Sequence, residues 1–346
     1  MPTTVLHLLP HRGGGAEKYI DLLEPLDGFV HRRMPISATR TPLVAPVSVA
    51  ARWPRVARAA RGADLLHVHG DMAALLAWPL PRRRPAVWTT HGLHLLRRAG
   101  GIRRAAVERG LDRISRHVAA VLCTSAEEMR ELASFLSPPA RGHLAVVANG
   151  VTMPQPPNPE RRAATRAELG LGPTTCAVLF LGQLEERKDP VTAARAAQIA
   201  RERGHDVVLL MAGSGPLAGA LSEFEGPAVR LLGFRGDATR LVEAADAFVL
   251  PSSREGLSFA LLEAMSHGLP TVVADGAGNV EAVGEAGLVF PFGDSAVLAE
   301  LIVRLAGDDA ERRELGEAAR ARVASEYSAD RLRAGVEQAY RAALSA

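Results

Sequence analysis

The sequence predicts an α/β protein of two domains, each a doubly wound parallel sheet with helices on its faces. Three observations carry this. Apolar strand-like runs alternate with helical segments through both halves of the chain, the pattern of repeated βα units. At 346 residues the chain is long for one core and comfortable for two. Between the halves runs Met153-Pro154-Gln155-Pro156-Pro157-Asn158-Pro159, whose four prolines can join neither a central strand nor a helix interior, so the domain boundary is placed there.

In the first half, Val5 to Leu9 reads as a buried strand, followed by a turn through Pro10 to Gly15 and a helix from about Ala16 to Leu23. Gly13-Gly14-Gly15 can bring bare backbone close to a ligand and aim the next helix N-terminus at an anion; it serves equally as a flexible turn. It matches neither a G-x-G-x-x-G fingerprint nor a P-loop. Between Val30 and Pro54 the signals are mixed, and one or two strands are expected. Leu65 to His69 is a strand ending in Gly70-Asp71, and Pro85 to Thr90 another, ending in His91-Gly92-Leu93-His94. His67, His69, His91 and His94 suggest zinc, but no carboxylate or cysteine stands at a ligand spacing, so no metal site is expected and neutral hydrogen bonding is preferred. Arg97 to Arg116 reads as a helical region with seven arginines against Glu108 and Asp112. Such a run is a solvated face or a surface for anionic lipid or an anionic acceptor. Val118 to Cys123 and Leu144 to Ala148 complete the strands of this half.

The second half alternates more cleanly. Strands are expected at Ala177–Leu181, Val207–Met211, Val229–Leu232, Phe248–Leu250 and Thr271–Ala274, with helices at Asp189–Arg203, after Gly213-Ser214-Gly215-Pro216, through Leu241 to Ala244, at Asp308–Ala324 and at Ala329–Leu344. The richest stretch runs from Ser252 to Pro270. Its helix has readable ends: Ser258 as N-cap, Gly268 past the last turn, and Pro270 unable to continue. Phe259, Leu262, Glu263 and Ser266 share one face, which puts Glu263 at the margin of the apolar stripe. Glu255 falls where a strand gives way to a helix, the edge of a parallel sheet at which ligands bind. The same spacing also suits a surface acid and a helix acid that each pair with an arginine.

Bulk properties narrow the classes. Aromatics are only 4%, too few for stacking platforms on single-stranded nucleic acid, and no helix-turn-helix, zinc-finger or RNP pattern appears. Cys123 and Cys176 lie in apolar runs and read as buried free thiols, pointing to a reducing compartment. With no leader and no apolar run long enough to span a bilayer, a soluble cytoplasmic protein is expected. The net charge of +3 hides an asymmetry: residues 1–150 hold 21 Arg and Lys against 11 Asp and Glu, the remainder 20 against 27. Only Lys18 and Lys188 are lysines, and a lysine in an arginine-rich chain can mark a place that wants a compact ammonium.

These residues together resemble the retaining GT-B glycosyltransferases of family 4, the glycogen-synthase-like and phosphatidylinositol-mannosyltransferase-like group. The matches are Gly14-Gly15-Ala16-Glu17, His91, Asn149-Gly150-Val151, Gly182 to Lys188, Gly213-Ser214-Gly215-Pro216 and Pro251 to Pro270, with the Glu-x7-Glu pair Glu255 and Glu263 the most specific. The resemblance implies two Rossmann-like domains facing across a cleft. Residues 1–152 with a returning helix at 326–346 would form the acceptor side, and residues 160–325 the nucleotide-sugar side. It further implies Glu255 on hydroxyls of the transferred sugar, Glu263 on the ribose, Lys188 on the diphosphate, backbone at Gly14-Gly15 and Leu257-Ser258 near the phosphates, and Gly213 among the residues that bind the donor. Gly233 and Phe234 would lie by the base, and His91 would reach the donor sugar. Two departures stand out: Gln183 replaces an arginine usual in the family, for which Arg187 could supply the charge, and Ser258 replaces a second glycine.

The implied reaction moves a hexose-type sugar from a nucleotide diphosphate to a small-molecule, glycan or lipid-linked acceptor. It would retain anomeric configuration and use no metal and no cofactor, with contact to a membrane surface through Arg97–Arg116 and no nucleic acid. A sugar-nucleotide epimerase on the same fold and a non-catalytic nucleotide-sugar binding protein are the alternatives.

Overall fold

A computed structural model describes residues 1–11, 14–38, 45–253 and 255–345; Gly13 of the glycine turn and Arg254 beside Glu255 lie outside the described residues. The chain forms two compact units, Met1–Gly150 with Ala329–Ala346, and Val151–Ser328.

The first unit holds β1 (Thr3–Leu9), β2 (Phe29–Pro35), β3 (Leu65–His69), β4 (Ala86–Thr89), β5 (Ala120–Cys123) and β6 (Leu144–Val146). They form one parallel sheet in the order β2-β1-β3-β4-β5-β6. Leu6 and Leu8 of β1, Leu66 and Val68 of β3 and Trp88 of β4 point to one face, where they meet Leu111, Ile114 and Leu132 from helices. His7, His67 and His69 point to the other, and they are fully buried. The final helix, Ala329–Ser345, covers this second face with Tyr340.

The second unit holds β7 (Cys176–Leu181), β8 (Val207–Ala212), β9 (Val229–Gly233), β10 (Ala247–Leu250), β11 (Thr271–Ala274) and β12 (Leu288–Phe290) in the order β12-β11-β10-β7-β8-β9, again all parallel. Every residue of β7, β8, β10 and β11 is buried, as expected of strands covered on both faces. The two cysteines are buried free thiols in β5 and β7.

Several elements differ from expectation. Among the described residues of the mixed stretch Val30 to Pro54, β2 is the one strand, and from Ala45 the chain is in the helix Ala45–Arg61. Val49, Trp53, Val56 and Ala60 fall on one face of that helix at helical spacing, and Pro54 is tolerated because it faces solvent. Arg97 to Arg116 is two helices, His94–Arg98 and Gly101–Ser115, broken at Ala99-Gly100. The last proline of the linker opens the helix Pro159–Glu168, where a missing N–H costs nothing, and the Asn158 side chain caps it by accepting from the Arg161 N–H at 3.0 Å. Helices Ala277–Val283 and Ser295–Gly307 and strand β12 are further additions.

The helix Asp309–Glu326 crosses close over the end of the Phe259–Ser266 helix. A Cβ at Gly316 would lie 2.1 Å from the Gly268 carbonyl oxygen, so only glycine lets the two backbones approach. Gly316→Ala is expected to cost about 1–3 kcal/mol of stability. A thermal melt should record this as a fall of several degrees; an unchanged melting temperature would mean that the crossing relaxes without cost.

Candidate functional site

In the second sheet the chain leaves β7 towards β8 and β9 on one side, and β10 continues to β11 and β12 on the other. The carboxyl ends of the neighbours β7 and β10 therefore flank the topological switch point, where open α/β sheets hold their ligands. The segment after β7 carries Gly182, Gln183, Arg187 and Lys188; the segment after β10 carries Glu255, Leu257 and Ser258.

These two segments bring three charges together. Lys188 Nζ lies 2.5 Å and Arg187 Nη1 2.9 Å from the same oxygen of Glu255, while Arg187 Nη2 reaches Glu185 at 2.8 Å. Glu255 is 7% and Lys188 9% exposed. Burial alone would push the Glu255 carboxyl up, but the Lys188 ammonium and then the Arg187 guanidinium outweigh it and hold the pKa at about 2. Burial likewise opposes the Arg187 charge, and its two carboxylates more than restore it. Glu255 is thus an acceptor-only carboxylate, not a proton donor at neutral pH.

Glycines let the loops around this cluster close up. A Cβ at Gly213 would sit 1.7 Å from the Gly182 oxygen, and one at Gly215 would sit 2.4 Å from the Leu184 oxygen. On the other side Gly278 would clash with the Gly256 and Glu255 carbonyls at 2.1 and 2.5 Å, while the Asn279 amide donates to the Ser252 carbonyl at 3.0 Å. Gly278 and Asn279 were missed in the sequence; Gly276 and Gly278, on either side of the first residue of the helix Ala277–Val283 that follows β11, were the available signal.

The other predicted residues of this unit are dispersed around the same sheet edge. Gln183 is exposed, and its amide enters none of the contacts around Glu255. Ser258 is the N-cap of the helix Phe259–Ser266, though its side chain makes no capping hydrogen bond. That helix is buried nearly all round, with Glu263 half-buried at its margin. Gly233 ends β9 with φ of 62°, and Phe234 beyond it is 80% exposed, an aromatic face at the sheet edge.

In the first unit Gly14, with φ of 99°, precedes the helix Gly15–Leu23. His91, Gly92 and Leu93 have φ of 52°, 105° and 49°. Three left-handed residues in a row, two of them not glycine, are strained backbone of the kind concentrated at functional sites. Asp71 holds the following helix in place, accepting from the Leu95 and Leu96 N–H groups at 2.6 and 2.9 Å. Burial pushes His67, His69 and His91 well down, His91 to about 3, so these rings are neutral. His7, His67 and His69 offer ligand atoms within 4.8 Å of one another, yet every ring nitrogen of the three already has a hydrogen-bond partner. Sequence reasoning missed His7 and also Glu128, which is fully buried and accepts from Thr124 and Thr90.

The arginine run is partly neutralised: Arg97 pairs with Glu131 and Glu127, and Arg104 with Glu108. Arg98, Arg103 and Arg109 are exposed beside Ile102, which is 91% exposed. Among the described residues no helix is long and apolar enough to cross a membrane.

Comparison with known proteins agrees with this layout. Residues 6–153 match the family described as "Glycosyltransferase Family 4", and residues 175–308 match "Glycosyl transferases group 1". The chain is 31% identical over 309 residues to D-inositol 3-phosphate glycosyltransferase of Nocardia farcinica, covering 81% of this chain and 67% of that protein. It is also 31% identical over 186 residues to the GDP-mannose-dependent monoacylated alpha-(1-6)-phosphatidylinositol monomannoside mannosyltransferase of Corynebacterium glutamicum, covering 50% and 49% of the two chains. Among solved structures, Anabaena HepE in complex with UDP-glucose superposes with a TM-score of 0.82 at 19% identity, over 98% of this chain and 99% of that one. WaaG, a glycosyltransferase of lipopolysaccharide biosynthesis, superposes with 0.74 at 16% identity, over 96% and 99%. The two six-stranded parallel sheets with their helices match the GT-B fold of such structures.

Because the folded pKa of Glu255 lies below its ordinary 4.5, its contribution to stability is complete above about pH 4.5 and is lost as the pH falls towards about 2. Glu255→Gln is expected to melt below the wild type at neutral pH, with the gap closing between about pH 4.5 and 2. Paired melts across that range check this, and a gap of constant size would show that no depressed carboxyl is present.

Proposed function

The chain belongs to the family 4 glycosyltransferases, and from that premise we propose that it moves a hexose-type sugar from a nucleotide diphosphate to an acceptor hydroxyl, with retention of anomeric configuration and without a metal ion. The observation that carries this reading is the Lys188–Glu255–Arg187 cluster at the switch point of the second sheet. Its two kinds of group suit the two ends of the bond to be broken. Lys188 is the cation for the departing diphosphate, with Arg187 beside it, and this supports charge stabilisation by side chains. Glu255, held ionised, accepts hydrogen bonds from hydroxyls of the transferred sugar and keeps its anomeric carbon in position.

In the proposed step the acceptor oxygen forms its bond to the anomeric carbon on the face from which the diphosphate oxygen leaves. The acceptor hydroxyl proton passes to that departing oxygen. Positive charge developing on the ring is met by negative charge leaving beside it, so no residue needs to form a covalent intermediate. Glu263 is assigned to the ribose, the exposed Phe234 with Gly233 to the base, and backbone at Gly213 and Leu257-Ser258 to the phosphates. Gln183 adds a neutral amide. In the first unit, His91 is assigned to the donor sugar and the backbone at Gly14-Gly15 to phosphate.

The acceptor is proposed to be anionic or lipid-linked. The excess of ten positive charges in residues 1–150 and the exposed arginines beside Ile102 support this, since such a surface attracts anionic headgroups. Action at the cytoplasmic face of a membrane follows from the same reading.

A panel of UDP-glucose, UDP-galactose and GDP-mannose scored by thermal shift tests the donor. At a hundredfold excess over its dissociation constant the true donor should stabilise the fold by about 2.7 kcal/mol, a rise of several degrees. Glu255→Gln should remain folded and lose about a hundredfold or more in transfer, the scale expected when one positioned electrostatic contact is removed. Near-normal turnover in that variant would take Glu255 out of the site.

A further inference from the structure

The first sheet carries one histidine on each of four neighbouring positions across its width. His31 is on β2, His7 on β1, His69 on β3, and His91 lies just beyond β4. They are joined in sequence: His31 Nδ1 to His7 Nε2 at 2.8 Å, His7 Nδ1 to His69 Nε2 at 2.8 Å, and His69 Nδ1 to His91 Nε2 at 2.9 Å. Every link pairs the Nδ1 of one ring with the Nε2 of the next. We propose that His31, His7 and His69 are positioning residues for His91, forming a one-directional line of hydrogen bonds that fixes which of its nitrogens carries the proton.

A neutral imidazole has one N–H and one lone pair, so a ring that donates to one neighbour must accept from the other. If the first link points one way, all must. Only two neutral arrangements exist, every proton on Nδ1 or every proton on Nε2. The rings are neutral because burial opposes their charge and no carboxylate hydrogen-bonds to any of the four among the described residues. The charged and titratable groups around them are Arg33 and Glu24 near His31, His67 alongside His7 and His69, Tyr19 edge-on to His69 and His91, Tyr340 by His31, and His94 near His91.

The outer end selects between the two arrangements. His31 Nε2 is buried with no hydrogen bond of normal geometry, the Leu23 carbonyl near the ring lying outside it. With protons on Nε2 it would be an orphaned donor; with protons on Nδ1 it is only an unused lone pair, the less costly defect. The line therefore runs with its protons on Nδ1, the reverse of the tautomer an isolated histidine favours. His91 receives a hydrogen bond at Nε2 and presents Nδ1–H, so it acts as a neutral donor and not as a base. An ion at His7, His67 and His69 would have to break these links as well as those from His67 to Tyr340 and Thr89, at 2.6 and 2.7 Å.

The functional consequence rests on the assignment of His91 to the donor sugar above; the line itself does not. The full chain labelled with 15N in its imidazoles is read by long-range proton–nitrogen spectra at neutral pH, with rings assigned through single variants. All four rings should be neutral and protonated on Nδ1. His69→Phe, which removes the ring bonded to His91 Nε2 and leaves that half-buried ring unheld, should turn His91 into a mixture of tautomers, and His69→Gln, whose amide can donate and accept, should restore one form. The same spectra of His31→Leu and His7→Phe serve if His69→Phe does not fold; each leaves a fully buried Nε2 as the bare end, so the remaining rings of the line should keep their Nδ1 protons. Adjacent rings with opposite tautomers, a charged ring, or a His91 signal indifferent to His69→Phe would overturn the proposal. Metal-type shifts at His7, His67 and His69 with one equivalent of Zn2+ would overturn it in favour of a metal centre. Nucleoside diphosphate release from UDP-glucose and GDP-mannose is followed in parallel. A kcat lowered about tenfold with KM little changed in His69→Phe supports both readings. A tautomer change with kcat unaltered supports the line and removes His91 from the donor site.

Discussion

A buried carboxylate has to be paired, and in the second unit that requirement binds the architecture to the chemistry. Glu255 reaches its cations only because β7 and β10 are neighbours although 65 residues of chain separate Leu181 from Ala247. The close backbone approaches at Gly213, Gly215 and Gly278 draw the surrounding loops inward. Removing one partner of such a cluster leaves an uncompensated buried charge, which is far costlier than losing an exposed pair. The arrangement is therefore a constraint on loop position more than a source of net stability. On the function proposed above, it sets the sugar-facing Glu255 beside the phosphate-facing Lys188.

The first unit solves a comparable problem without charge. Its sheet face under the helices Gly15–Leu23 and Ala329–Ser345 is polar yet dry, and histidine and tyrosine satisfy one another there. Neutral rings in a dry layer hold position by hydrogen-bond direction, which a low dielectric strengthens. The strained loop from His91 to Leu93 stands at the end of that layer, anchored by His69 on one side and by Asp71 on the other.

Much of this was legible in the sequence where local signals and tertiary context agree. Continuous apolar runs such as Cys176 to Leu181 gave the central strands, and Gly268 with Pro270 gave the end of the helix carrying Glu263. Legibility failed where a strong local signal was overridden: Pro54 obscured the apolar spacing of Val49, Trp53, Val56 and Ala60, and the linker prolines hid a helix that begins on Pro159. Short β12 and the histidine line share another difficulty. Their meaning lies in what neighbours them in the sheet, and strand order is not written in any one segment. His7 looks like an ordinary strand residue until β2 and β3 are placed on either side of it.

The departure at Gln183 takes its physical meaning from the charge balance next to it. Lys188 and Arg187 carry two positive charges, and Glu255 and Glu185 two negative ones, so the cluster is neutral as a whole. Arg187 is committed to both carboxylates through its two terminal nitrogens, and a guanidinium bound at both ends does not act as a spare cation. An arginine at position 183 would have added an uncommitted charge; Gln183 adds none. On the reading proposed here, the diphosphate is left to Lys188 and to backbone N–H groups around the glycines, whose partial charges depend on position and not on ionisation. Donor affinity in this chain then depends on loop closure at Gly213 and Gly278 as much as on any side chain.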